Sequence, residues 1–326
     1  MPPRSQFPRE AVLLYDSFLD RMPFFKLWKQ KFEFRVPLQG GESLKTLGSY
    51  QKVLTQLSLL TIPQTQNLTF VAVGGGSVGD FTGFLASTFL RGRNFVQIPS
   101  TWLAAIDSAH GGKNGLNFAG VKNQIGTIYP ASKVYLIKQL LKKQPSERIV
   151  DAMGEVLKIA IINTPQIIAN LSSSKNDLFK ALPVIIRAKM KVVQADPFEK
   201  MGLRRVLNLG HTMGHVFESY FKMSHGNAVR YGVLFSARWS FSAGILKEKD
   251  FVKIWKLLHE VGPLDLQEKL KRIPAAKIEK LLLKDKKMVT TKELDFIFIE
   301  KIGKVVRKKV SVKSIMDEAQ RQKLEF

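Results

Sequence analysis

The stretch Thr69-Phe-Val-Ala-Val73 runs straight into Gly74-Gly75-Gly76-Ser77-Val78-Gly79-Asp80. β-Branched and aromatic side chains favour an extended backbone, a glycine cluster ends it, and the apolar residues from Phe81 to Leu90 predict a helix. A strand that turns through glycines into a helix is a βα unit, and such units build a parallel sheet with helical crossovers. Further short strands are predicted at 11–15, 34–38, 95–99 and 133–137. Gly40-Gly41-Glu42-Ser43-Leu44-Lys45 reads as a turn entering a helix, with Ser43 as its N-cap. After about residue 145 the pattern changes to long amphipathic runs at 147–163, 176–194, 206–222, 226–246 and 249–261, with strands only at 294–299 and 304–313. The expected architecture is an α/β domain over residues 1–144 followed by a mainly α-helical domain over 145–326.

The length of 326 residues suits about two domains. There is no cysteine, which excludes disulfides, zinc ribbons, iron–sulfur clusters and thiol nucleophiles. A hydrophobic content of 45% with a mean hydropathy of −0.05 fits a soluble globular enzyme. No apolar run reaches the ~18 residues of a membrane span, and the first residues lack the apolar core of a signal peptide, so a cytoplasmic location without membrane contact is expected. The formal net charge is +24. That excess suits nucleic acid, an anionic surface or an anionic small substrate. The cations are spread along the chain, and no zinc finger or RNP-type signature accompanies the densest run, Lys301 to Lys313. A solvated basic surface is the simpler reading, and nucleic-acid binding is not expected. In that run Val and Ile interleave with Lys as in an exposed edge strand.

Two clusters carry chemistry. Glycines between a strand and a helix let backbone N–H groups approach a pyrophosphate, and the helix N-terminus adds partial positive charge. The cluster at Gly74 is not the spaced GxGxxG pattern, and a purely structural turn stays open as a reading. Three of the five histidines, His211, His215 and His225, lie within fifteen residues. His211 and His215 are i and i+4, on one helical face. Neutral imidazoles with a carboxylate suit a divalent metal, and Glu155, in an apolar helical stretch, is the candidate carboxylate. Capping or core histidines are the alternative. Lys113, Lys122, Lys158, Lys189 and Arg204 are each ordinary surface candidates; gathered together they would suit a multiply charged anion.

The motifs GGGSVGDFTGFLASTFLRGRNFVQIPSTWLAAIDSAHGGKNGLN, VKNQIGTIYP, GEVLK, GLRRVLNLGHTMGH, HGNAV and DKK occur in this order. Together they resemble the 3-dehydroquinate synthase family of the shikimate pathway. The resemblance implies a Rossmann-like NAD-binding domain and a metal- and substrate-binding helical domain. It implies NAD and one divalent metal, zinc or cobalt. The implied reaction converts 3-deoxy-D-arabino-heptulosonate 7-phosphate to 3-dehydroquinate by transient oxidation, β-elimination of phosphate, reduction, ring opening and intramolecular aldol closure. Implied metal ligands are Glu155, His211 and His225. Implied cofactor contacts are Glu42, Lys45, Gly74, Gly75, Gly76, Ser77, Val78, Gly79, Asp80, Ser100, Thr101, Lys113 and Lys122. The implied substrate pocket holds Asp107, Lys113, Asn123, Lys158, Lys189, Arg204, Asn208, His215 and Lys286 or Lys287. Arg91 resembles an arginine that reaches phosphate across a homodimer. The chain departs from the family pattern at Ser77, His110, Val121 and Asn227. The alternatives are another sugar phosphate cyclase, a glycerol-dehydrogenase-like oxidoreductase, and a basic nucleic-acid-binding protein.

Overall fold

The computed structural model describes residues 1–60, 62, 65–169, 175–283, 288–290 and 293–324. The chain forms two compact units, Met1–Pro145 and Ser146–Phe326.

The first unit is built on five parallel strands: β1 (Val12–Asp16), β2 (Phe34–Leu38), β3 (Thr69–Gly74), β4 (Asn94–Pro99) and β7 (Lys133–Val134), in the order β2-β1-β3-β4-β7. Helices α1 (Pro23–Lys29), α2 (Leu47–Leu59), α3 (Gly76–Thr88), α4 (Trp102–Ile106) and α5 (Lys138–Lys142) accompany them. Val12, Leu14, Phe70, Ala72 and Phe95 feed one apolar cluster. Leu13, Tyr15, Val71, Val73, Val96 and Ile98 feed another. Alternate residues of β1, β3 and β4 are thus buried on opposite faces, which is why these strands read as apolar runs. Chain order reverses between β1 and β3. In open parallel sheets the crevice beyond the carboxyl ends at such a reversal is where ligands bind, and the glycine turn after β3 lies at that edge.

Several boundaries differ from expectation. The helix expected from Phe81 begins five residues earlier, at Gly76, so the glycine-rich stretch is itself the first turn of α3. Ser43 is not an N-cap. Residues Glu42–Leu44 form a 3-10 turn, and the cap of α2 is Thr46, whose Oγ1 accepts from the Ser49 N–H at 3.1 Å. The segment around Lys113, where no strand is predicted above, is an antiparallel hairpin, β5 (Lys113–Phe118) with β6 (Val121–Ile128).

The second unit contains α6 (Glu147–Asn163), α7 (Gln166–Ala169), α8 (Lys175–Ala195), α9 (His211–Phe221), α10 (His225–Ser242), α11 (Glu248–Glu260), α12 (Leu266–Arg272), α13 (Ala275–Leu283) and α14 (Val312–Leu324). Three antiparallel strands, β8 (Met288–Thr290), β9 (Glu293–Lys301) and β10 (Lys304–Ser311), complete it in the order β10-β9-β8. One apolar cluster spans helices and sheet, with Phe217, Val233, Phe235, Ile254, Phe296 and Ile315 at its centre. The run expected as one helix over 206–222 is broken. A 3-10 turn covers Leu203–Asn208, and α9 restarts after Gly210 at φ +77°, a left-handed conformation open to glycine at little cost. No described helix is long and apolar enough to cross a membrane.

Candidate active site

In the first unit the glycine turn leaves a cradle at the start of α3. The Gly74 carbonyl accepts from the Ser100 N–H at 2.8 Å, which joins the carboxyl ends of β3 and β4. A Cβ on Gly74 would lie 2.6 Å from Val78 Cβ, and one on Gly76 would lie 3.2 Å from Ser108 Oγ, so side chains there would fill the cradle. The N-cap of α3 is Gly75, with no side-chain cap, so backbone donors of the first turn remain for an anion. Ser77 Oγ accepts from the Gly41 N–H at 2.9 Å, and Thr101 caps α4 by accepting from the Ala104 N–H at 3.2 Å.

Behind the turn, Lys45 is buried and donates to Asp80 Oδ2 at 2.6 Å and to Asn123 Oδ1. Burial raises the Asp80 carboxyl above its ordinary value, and the Lys45 ammonium partly offsets that. Asn117 donates to Glu42 Oε2 at 3.0 Å and accepts from the Asn123 N–H at 2.9 Å. Glu42, Lys45, Asp80 and Asn123 therefore belong to one network that ties the hairpin to the glycine turn. Lys113, Lys122 and Arg91 are exposed. Asp107 and Ser108 lie between α4 and the hairpin.

In the second unit Glu155, on α6, is fully buried, and both His211 Nε2 and His225 Nε2 face its Oε1, at 3.6 and 3.2 Å. One donor atom from each residue lies within 4.8 Å of the others. Lys158, one turn along α6 and buried, forms an ion pair with Glu155 Oε2. A buried carboxylate without a countercharge is strongly destabilising, and Lys158 supplies that countercharge. The far ring nitrogens are also held. His211 Nδ1 donates to the Leu209 carbonyl at 3.2 Å, and His225 Nδ1 donates to Glu218 Oε2 at 3.1 Å. Burial alone would lower the His225 pKa, but its two carboxylate partners push it up to about 10.

Close helix packing makes this convergence. A Cβ on Gly154 would collide with the Gly226 carbonyl, and one on Gly226 with the Asp151 carbonyl. The Gly226 N–H also donates to Asp151 Oδ1 at 2.7 Å. The two glycines adjoin Glu155 and His225, so backbone contact between α6 and α10 sets the ligand spacing. His215 shares the α9 face with His211, their ring centroids 5.5 Å apart.

Lys189 on α8 and Arg204 on the 3-10 turn are both buried, on elements that pack together. Arg204 Nη1 donates to the Pro197 carbonyl at 2.9 Å, and Asn208 ends the same turn. Lys286 and Lys287 lie outside the described residues. Sequence reasoning missed Glu218, Asp151 and the glycine pair. Glu218 stands seven residues after His211, on the same helical face, and that spacing was the available signal.

The donor set fits a divalent ion. Two imidazole nitrogens and one carboxylate oxygen converge, and three protein ligands leave a position open for substrate. Each imidazole donates its other N–H to an acceptor, as metal-ligating histidines usually do.

Residues 35–151 match the N-terminal sequence model of 3-dehydroquinate synthase, and residues 152–288 match the C-terminal one. The chain is 35% identical over 290 residues to a 3-dehydroquinate synthase of Thermoplasma volcanium, covering 87% of this chain and 79% of the relative. The fold matches a crystal structure of 2-deoxy-scyllo-inosose synthase complexed with carbaglucose-6-phosphate, NAD+ and Co2+. The TM-score is 0.83 at 25% identity, over 98% of this chain and 93% of the other. It also matches a 2-epi-5-epi-valiolone synthase of Streptomyces hygroscopicus subsp. jinggangensis with NAD+ and Zn2+ bound. There the TM-score is 0.79 at 20% identity, over 99% and 95% of the two chains. By its sequence models and its curated relatives, the chain belongs to the 3-dehydroquinate synthase family of enzymes.

Proposed function

We propose that the chain converts 3-deoxy-D-arabino-heptulosonate 7-phosphate to 3-dehydroquinate and phosphate, with NAD and one zinc or cobalt ion. The observation that carries this is the convergence of Glu155, His211 and His225 with both Nδ1 atoms already engaged. When bound, the ion supplies Lewis-acid polarisation of vicinal substrate oxygens, and NAD supplies a reversible hydride acceptor.

Glu155, His211 and His225 hold the ion, and Lys158 balances the Glu155 charge. Residues 1–144 form the cofactor domain. Gly74, Gly75, Gly76, Ser77, Val78 and Gly79 offer backbone donors to the dinucleotide pyrophosphate at the start of α3, flanked by Ser100 and Thr101. Glu42, Lys45, Asp80, Lys113 and Lys122 complete that cradle. Residues 145–326 form the metal and substrate domain. Lys189 and Arg204, two buried cations on packed elements, bind the substrate carboxylate. Asn208, His215 and a lysine of the DKK motif bind the phosphate, joined in a homodimer by Arg91 of the partner subunit. Asp107, Lys113 and Asn123 orient the hydroxyls. The enzyme works in the cytoplasm, and its net charge serves an anionic sugar phosphate, not nucleic acid.

The test is phosphate release from 3-deoxy-D-arabino-heptulosonate 7-phosphate with NAD+ and Zn2+ or Co2+, with and without EDTA. We expect release that needs both additions, leaves no net NADH and disappears in His211→Ala. No release with either metal overturns the proposal. The likeness to 2-deoxy-scyllo-inosose synthase favours a second reading, a cyclase for a sugar phosphate without a carboxylate; turnover of glucose 6-phosphate in place of the carboxylated substrate would establish it.

A further inference from the structure

The turn that carries Arg204 and Asn208 is held from two sides. On one side, Asp196 at the end of α8 accepts from the Met201 N–H at 3.2 Å and the Leu203 N–H at 3.0 Å. On the other side stand residues about a hundred positions later. Asp295 on β9 is a buried carboxylate, and Arg205, the neighbour of Arg204, donates to its Oδ2. Arg307 on β10 lies across the same carboxylate, its Nε 3.9 Å from Oδ1, and donates from Nη1 to the Gly202 carbonyl at 3.0 Å. Gly202 opens the turn at φ +73°, and a Cβ there would come within 2.5 Å of the Arg307 guanidinium. Arg205 points to the sheet while Arg204, adjacent in sequence, is buried elsewhere against Pro197. Adjacent residues of a 3-10 turn point about 120° apart, so anchoring Arg205 sets the direction of Arg204.

We infer that Asp295, with Arg205 and Arg307, is a positioning clamp that aims Arg204 at the substrate carboxylate and holds Asn208, on the same turn, toward the phosphate. The inference rests on the proposed role of Arg204. None of the three clamp residues touches the reacting atoms. The carboxylate of Asp295 joins the turn to the sheet through charge-assisted bonds, which are stronger and more directional than neutral ones.

The test is a double-mutant cycle on the full-length protein loaded with NAD+ and Zn2+, using Asp295→Asn, Arg204→Lys and the pair. Asp295→Asn keeps the shape and removes the charge. A misplacement of about 1 Å costs up to ~100-fold in rate, so we expect kcat/KM for the sugar phosphate to fall about tenfold, chiefly through KM. In the Arg204→Lys background the same change should cost less than about twofold, because coupled residues are not additive. Zn2+ affinity, read by chelator competition, should stay within twofold of the parent in both. Fully additive effects on kcat/KM overturn the clamp, since Asp295 would then act independently of Arg204. A loss of Zn2+ affinity in Asp295→Asn also overturns it, because the defect would be general unfolding. A parent protein that binds Zn2+ but releases no phosphate from the substrate overturns the underlying reading of Arg204, and the clamp with it.

Discussion

Glu155 is fully buried, so every charge around it matters. Lys158 neutralises one oxygen, and the other faces two imidazoles whose far nitrogens are engaged. Glu218 is the less obvious participant. By accepting from His225 Nδ1 it leaves Nε2 to face the ligand position and adds negative charge beside it. Losing such a partner costs a metal site about 10–100-fold in affinity. Glu218→Gln should therefore weaken Zn2+ binding by that order in chelator competition, while Glu218→Asp recovers part of it; an unchanged dissociation constant would deny Glu218 this role. His225 gives a second prediction. Its pKa, raised from 6.5 to about 10 in the metal-free protein, means the charged ring stabilises the fold. That contribution is complete below pH 6.5 and is lost as pH rises through about 10. Thermal unfolding of chelator-treated protein should show the midpoint declining over that window, and His225→Gln should flatten the slope. Parallel curves for the two proteins would mean the ring's charge contributes nothing.

Elements meet in this protein through glycine. The α6–α10 crossing, where Gly154 abuts Gly226, sets the Glu155–His225 distance. Adding a methyl group forces backbone apart from backbone, and overpacking of that kind costs about 1–3 kcal/mol. Gly226→Ala should lower the unfolding midpoint by that equivalent and weaken Zn2+ binding at the same time, since both follow from one helix shift. Stability lost with metal affinity retained would show that the ligands adjust independently of the crossing. The hairpin β5–β6 illustrates the same scale in the first unit. Strand β6 is largely exposed, while β5 buries Asn114, Gly115 and Leu116, with Gly115 opposite Gly126. Hydrogen bonds to Lys45 and Glu42 hold the hairpin, together with Leu116, which is buried in the apolar cluster of the sheet.

Across the whole molecule the net charge of +24 is the feature still to be explained. Part of it sits on β10, an edge strand carrying Lys304, Arg307, Lys308 and Lys309. Charge on an exposed edge keeps a second strand from pairing with it, so these residues have a use apart from any ligand. The remainder creates a positive field that draws a multiply charged anion toward the protein. Raising salt from roughly 0.05 to 0.5 M shortens the screening length severalfold. It should lower kcat/KM for the sugar phosphate several-fold, with kcat nearly constant; a flat profile would show that only contacts at short range select the substrate.

By itself the sequence determined the βα pattern of the first domain, the helical character of the second, and the cluster of residues able to bind metal. These are legible because strand and helix impose periods of two and 3.6 on apolar residues, and because metal-binding side chains are few. The ordered motifs carried the family resemblance and the ligand assignment. Tertiary structure decided the rest. Helix α3 begins among glycines, poor helix formers, because its first turn packs against β4 and Ser108. Thr46 caps α2, and not Ser43, because the intervening residues tighten into a 3-10 turn. The hairpin had no apolar alternation to announce it. The short helices α12 and α13 had too few turns to show a period. Above all, Glu155 and His225 stand seventy positions apart. They meet because two glycines allow two backbones to touch, and a contact between distant segments leaves no periodic trace in either one.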